Sequence, residues 1–124
     1  FSLPMVSAAH YIAGFVNNSF DGENANNYII TLWNPINGIN DNITDIIGPN
    51  GNSGADNIYF IDCEMLSSPC GIGDEIRVKI FPNASEYITE VTSLIVTGAG
   101  FDIMPDLRLN SKPNVSLFYP ATKV

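Results

Sequence analysis

Residues 57–80, NIYFIDCEMLSSPCGIGDEIRVKI, constrain the fold more than any other part of the chain. The first run, Ile58-Tyr59-Phe60-Ile61, is β-branched and aromatic throughout, the composition of a strand buried on both faces. The second alternates: Ile76, Val78 and Ile80 fall on one face and Arg77 and Lys79 on the other, the period of two of a half-buried strand. Between the runs lie the only two cysteines, Cys63 and Cys70, followed by the turn Gly71-Ile72-Gly73-Asp74. With six residues between them in a turn-rich loop, the cysteines are expected to form a disulfide. Closing so short a ring contributes about 2.5 kcal/mol on the chain-entropy estimate. A structural zinc site needs four ligands, which two Cys and the single His10 do not supply. A C-x-x-C redox motif is absent. The stretch therefore points to β structure and to an oxidising, extracellular compartment.

Polarity along the chain comes from Asn rather than from charge. Fifteen Asn, ten Gly and eight Pro, with only 15% charged residues, favour turns and short strands over Lys/Glu-rich surface helices. At 124 residues the chain is expected to form one domain. Thirteen acids against five bases give a net charge of −8, which argues against nucleic acid because phosphate binding needs a basic face. No apolar run reaches the roughly 18 residues of a membrane-spanning helix. An opening on Phe1 without Met fits a processed, secreted product and an artificially trimmed chain equally well.

The periodicity predicts seven strands, over residues 10–16, 28–33, 42–47, 58–61, 76–80, 87–96 and 101–110. Gly14 marks a bulge or a point of close packing in the first. Asn37-Gly38 and Asn50-Gly51 are hairpin-grade dipeptides. Thr89, Val91, Thr92, Ile95 and Val96 are β-branched, so residues 87–96 read as strand rather than helix. Pro105 places the seventh strand at an edge or a bulge, with Leu107 and Leu109 facing in and Arg108 out. Seven short strands separated by Asn/Gly/Pro turns describe an all-β, immunoglobulin-like β-sandwich over residues 10–110. An apolar lead, residues 1–9, precedes it.

A tail, residues 111–124, follows. Within it Val115, Leu117 and Tyr119 alternate with Ser116 and Phe118 between Pro113 and Pro120, the pattern of an extra terminal strand. Such a strand can fold back as an edge of its own sandwich, stay disordered, or pair with a neighbouring subunit by strand addition. The apolar lead is the competing donor.

The runs IAGFVNNSFDGENANNYIITLWNP, DIIGPNGNSGADNIYFID, GDEIRVKI and VTGAGFDIMPDLRLN occur in that order. Together they resemble the carboxypeptidase-regulatory-like (transthyretin-like) β-sandwich modules of archaeal and bacterial surface proteins. The likeness covers residues 10–110: a strand with Gly14, a loop with Asp21-Gly22, the aromatic strand Asn57-Ile58-Tyr59-Phe60, the turn Gly73-Asp74 and a closing strand. It implies a secreted sandwich with a structural or adhesive role and no catalysis of its own.

Four N-x-[ST] sequons, at Asn17, Asn42, Asn83 and Asn114, are candidate N-glycosylation sites beside loops or strand ends. Oxygen-rich turns at Asp21-Gly22-Glu23-Asn24, at Asp41 with Asp45, and at Asp56 with Asp62 offer calcium a hard-ligand set. Without EF-hand spacing, Asx turns that bond to themselves account for the same residues, and no metal or other cofactor is expected. Enzyme motifs are missing: His10 has no G-x-S-x-G partner, and Gly71-Ile72-Gly73 and Gly98-Ala99-Gly100 lack the third Gly of a dinucleotide loop. Trp33, Tyr11, Tyr28 and Tyr59 can be read as a stacking platform for a saccharide or as core. The expected function is therefore a structural, self-assembling subunit of an extracellular filament or surface layer. It would polymerise through donor-strand complementation by Val115, Leu117, Phe118 and Tyr119, with copies of itself and N-linked glycans as partners. The alternative is a carbohydrate-binding or adhesive module of a secreted protein.

Overall fold

The computed structural model describes residues 9–20, 22–80 and 90–109. Eight strands follow one another: β1 (Tyr11–Asn18), β2 (Ile29–Trp33), β3 (Asn42–Ile46), β4 (Ile58–Asp62), β5 (Glu75–Ile80), β6 (Val91–Ile95), β7 (Phe101–Ile103) and β8 (Leu107–Leu109). A single 3-10 turn, Cys63–Met65, follows β4. The chain is all-β in two four-stranded sheets. The first has the order β4-β1-β7, with β8 also lying along β1; the second is β3-β2-β5-β6 and antiparallel throughout.

The seventh predicted strand is two strands, because Met104-Pro105-Asp106 interrupts it. Pro105 has no N–H for a ladder, and Met104 N donates instead to Ala13 O at 2.8 Å. β1 consequently runs parallel to two successive short strands, Tyr11 beside Phe101 and Val16 beside Leu107, while running antiparallel to β4. The predicted inward facing of Leu107 and Leu109 holds, since both are buried and Arg108 is exposed.

Inward residues of both sheets form one core: Ile12 and Val16 of β1, Tyr59 and Ile61 of β4, Ile30 and Leu32 of β2, and Ile76, Val78 and Ile80 of β5. Burying one such aliphatic side chain contributes about 1.5–3 kcal/mol before entropy is counted. Gly14 is a point of close packing. A Cβ built there would run into the ring and hydroxyl of Tyr59, so only Gly lets that ring lie flat against β1. The run Ile58-Tyr59-Phe60-Ile61 is buried on one face rather than two; Tyr59 and Ile61 face the core, whereas Ile58 and Phe60 are half-buried on the outside.

Neither Asn-Gly dipeptide makes a two-residue hairpin. Asn37-Gly38 sits inside the longer loop between Trp33 and Asn42, where Gly38 takes φ 85° and donates to Asn34 O. Asn50-Gly51 lies in the crossover from β3 to β4, which belong to different sheets.

Candidate assembly surfaces

The disulfide is present. Cys63 and Cys70 are bonded across a Cα–Cα distance of 5.6 Å, within the ordinary range for a bridge. Asp62 caps the 3-10 turn between them by accepting from Glu64 N, and it also accepts from His10 N, both at 3.0 Å.

Asp41 and Asp45 spend their carboxylates on backbone donors. Asp41 accepts from Ser67 N and Ser68 N, and these bonds hold its pKa below the usual carboxylate value. Asp45 accepts from Ile46 N, Asn52 N and Phe60 N. Asp56 takes the Asn26 amide and lies before β4, whereas Asp62 lies at its far end. Among the described residues no three His, Cys, Asp or Glu are grouped to hold a metal ion.

The four aromatics weighed as a saccharide platform do not share a surface. Tyr59 is in the core, Tyr28 packs against it, Tyr11 lies on the outer face of the first sheet and Trp33 belongs to the second. Trp33 and Lys79 are both 0% exposed, with the Lys79 ammonium 5.7 Å from the centroid of the Trp33 ring. Alternation puts Lys79 on the outer side of β5, as expected from sequence. Its burial against an aromatic face is a cation–π arrangement that the alternation cannot foretell.

Two surfaces stand out. The first is the outer face of the β4-β1-β7 sheet. The register places Tyr11, Ala13 and Phe15 of β1 with Ile58 and Phe60 of β4, and with Phe101 and Ile103 of β7. Phe101 and Ile103 are 58% and 66% exposed. The Tyr11 and Phe60 rings stack on each other, 4.5 Å between centroids and 11° between planes. Ala13, Gly14, Phe15, Ile58, Ile103 and Asp106 line a shallow apolar depression of about 190 Å³ on this sheet.

The second surface is a strand edge. Three side chains and one backbone N–H close the outward edge of β4: Ile58 O accepts from Gly48 N and from Ser53 Oγ, Phe60 N donates to Asp45 Oδ2, and Phe60 O accepts from Asn52 Nδ2, at 2.7–3.1 Å. Among the described residues nothing covers β6 in this way. Val96 N donates to Asp74 O, so the alternation of the ladder gives Leu94 and Thr92 to β5. The N–H and C=O groups of Val91, Ser93 and Ile95 then point outward, and none bonds to another described residue.

Of the sequons, Asn17 lies in β1 and is half-buried, whereas Asn42 opens β3 with an exposed side chain whose amide donates to Ile39 O at 2.8 Å. Asn83 and Asn114 lie outside the described residues, as do the predicted donor residues Val115, Leu117, Phe118 and Tyr119, the whole tail of residues 111–124 and residues 1–8 of the lead. No helix among the described residues is long and apolar enough to cross a membrane. Comparisons with protein-family models, with curated proteins and with solved structures found nothing that matches this chain.

Proposed function

We propose that this protein is a structural subunit of an extracellular filament or surface assembly, joined to copies of itself head to tail by strand addition. One observation carries the reading: an apolar face of Tyr11, Phe15, Phe60, Phe101 and Ile103 is left open on the first sheet. Contiguous exposed apolar surface of this kind is characteristic of contact with other macromolecules. The buried disulfide supports an oxidising compartment outside the cytosol. The likeness to carboxypeptidase-regulatory-like surface modules and N-glycosylation at Asn42 belong to the same reading. The donor is the alternating segment of residues 115–119, and each subunit that receives one presents its own to the next, an open head-to-tail polymer.

Removing residues 111–124 tests this by sedimentation and electron microscopy. Full-length protein is expected to polymerise and the shortened chain to remain monomeric. Monomeric full-length protein at high concentration, or polymers of the shortened chain, would sink the reading.

A further inference from the structure

The geometry points to the outer edge of β6 as the acceptor for residues 115–119 of a neighbouring copy. This rests on the assembly reading above and adds to it the surface that receives the strand.

Edge strands in soluble proteins are normally defended by charge, Pro, bulges or a covering loop, because an open edge templates further pairing. Three of the edges here carry such defences. β4 is closed by Asp45, Asn52 and Ser53. On β3, Asp45 reaches across to β4, and its Oδ1 takes Ile46 N. β7 and β8 are three residues each, broken by Pro105, and bear Asp102 and Arg108. Among the described residues β6 carries none of these defences. Its five residues, Val91-Thr92-Ser93-Leu94-Ile95, contain no charge and no Pro. Its inward side chains, Thr92 and Leu94, are only partly buried, unlike Ile76 and Val78 opposite them on β5. The core is therefore incompletely closed along this side.

The proposed occupant fits by length and chemistry. Residues 115–119 are five, matching the five of β6, and are uncharged. Pro113 and Pro120 flank the segment without interrupting it. The apolar lead has Pro4 in its middle, a residue that removes a ladder donor. Paired one to one, Val115, Leu117 and Tyr119 lie beside Val91, Ser93 and Ile95, and Ser116 and Phe118 lie beside Thr92 and Leu94 over the open side of the core.

Two variants of the full chain separate acceptor from donor. Ser93→Pro deletes an outward N–H that the fold does not use, so the subunit folds but cannot receive a strand. Leu117→Pro interrupts the donor and leaves β6 intact. Each alone is expected to sediment as a monomer with an unchanged thermal midpoint, and an equimolar mixture to form a heterodimer. Polymerisation of Ser93→Pro like wild type, with Leu117→Pro monomeric, overturns the β6 acceptor and leaves the assembly reading standing. Polymerisation of both variants, or monomeric wild type, overturns the assembly reading and the acceptor with it. Two monomeric variants that do not combine also overturn the acceptor. If Ser93→Pro unfolds, the exposed Ile95→Lys replaces it as an edge-blocking charge, with the same expected outcomes.

Discussion

His10 Nε2 stands 2.8 Å from Asp102 Oδ2, a contact between the entry of β1 and the middle of β7 across 92 residues of chain. The same carboxylate accepts from Thr97 N at 3.0 Å and Thr97 Oγ1 at 2.8 Å. Burial disfavours its charge, but the Thr97 N–H, His10 and the Thr97 hydroxyl outweigh that effect and hold its pKa below the ordinary value. A carboxyl depressed on folding stabilises the native state above its unfolded pKa of about 3.9, and the contribution is lost as pH falls through the folded value. Asp102→Asn is therefore expected to flatten the loss of stability in acid. Denaturant titrations between about pH 2 and pH 6 would measure this; an unchanged pH profile removes Asp102 from the account. At neutral pH the same substitution costs about 1–3 kcal/mol.

Gly14→Ala places a methyl group against the Tyr59 ring. Overpacking of this kind costs about 1–3 kcal/mol, read as a lowered denaturation midpoint with an unchanged denaturant slope. Tyr59→Phe at the same contact is expected to be neutral or stabilising. The Tyr59 hydroxyl is buried without a hydrogen-bond partner among the described residues, and burial, with the nearby Asp106 charge second, drives its pKa upward. A Phe there removes an unsatisfied polar atom.

Asp45 joins the two sheets at their closed side. Asp45→Ala leaves Ile46 N, Asn52 N and Phe60 N without the carboxylate, at about 1–3 kcal/mol for each donor that finds no other partner. Faster amide exchange at Phe60 is expected, together with a greater tendency to aggregate through the uncovered β4 edge. Unchanged protection at Phe60 would show that water replaces the carboxylate there.

Reduction of the Cys63–Cys70 bridge is expected to lower stability by about 2.5 kcal/mol without changing the pairing of β4 with β1 or of β5 with β2. In a glycosylating host, intact mass is expected to show glycan on Asn42, lost in Asn42→Gln. Unmodified mass from such a host would remove the glycoprotein assignment.

Much of this fold was legible in one dimension because strand periodicity depends on local sequence. Alternation marked the inward residues of β5 and β8, and cysteine spacing marked the bridge. The candidate surfaces were less legible. Tyr11 reads alike as platform, core or surface until pairing with β4 sets it against Phe60. The weakness of β6 is likewise invisible in Val91-Thr92-Ser93-Leu94-Ile95 alone. It appears only when β4 proves to be covered by Asp45, Asn52 and Ser53, and β6, among the described residues, does not.

The sequence by itself determined the β class, the disulfide and the facing of most strands, because side-chain alternation and short-range ring closure are local properties. Only the tertiary structure decided that β1 lies parallel to β7 and β8, that Lys79 is buried against Trp33, and that side chains cap the β4 edge. Those are relations between residues far apart in the chain, and their energies depend on what the fold brings alongside. For residues 57–80, the two runs proved to lie in different sheets joined by the bridged loop. One of them, β5, is the strand against which the open β6 edge is built.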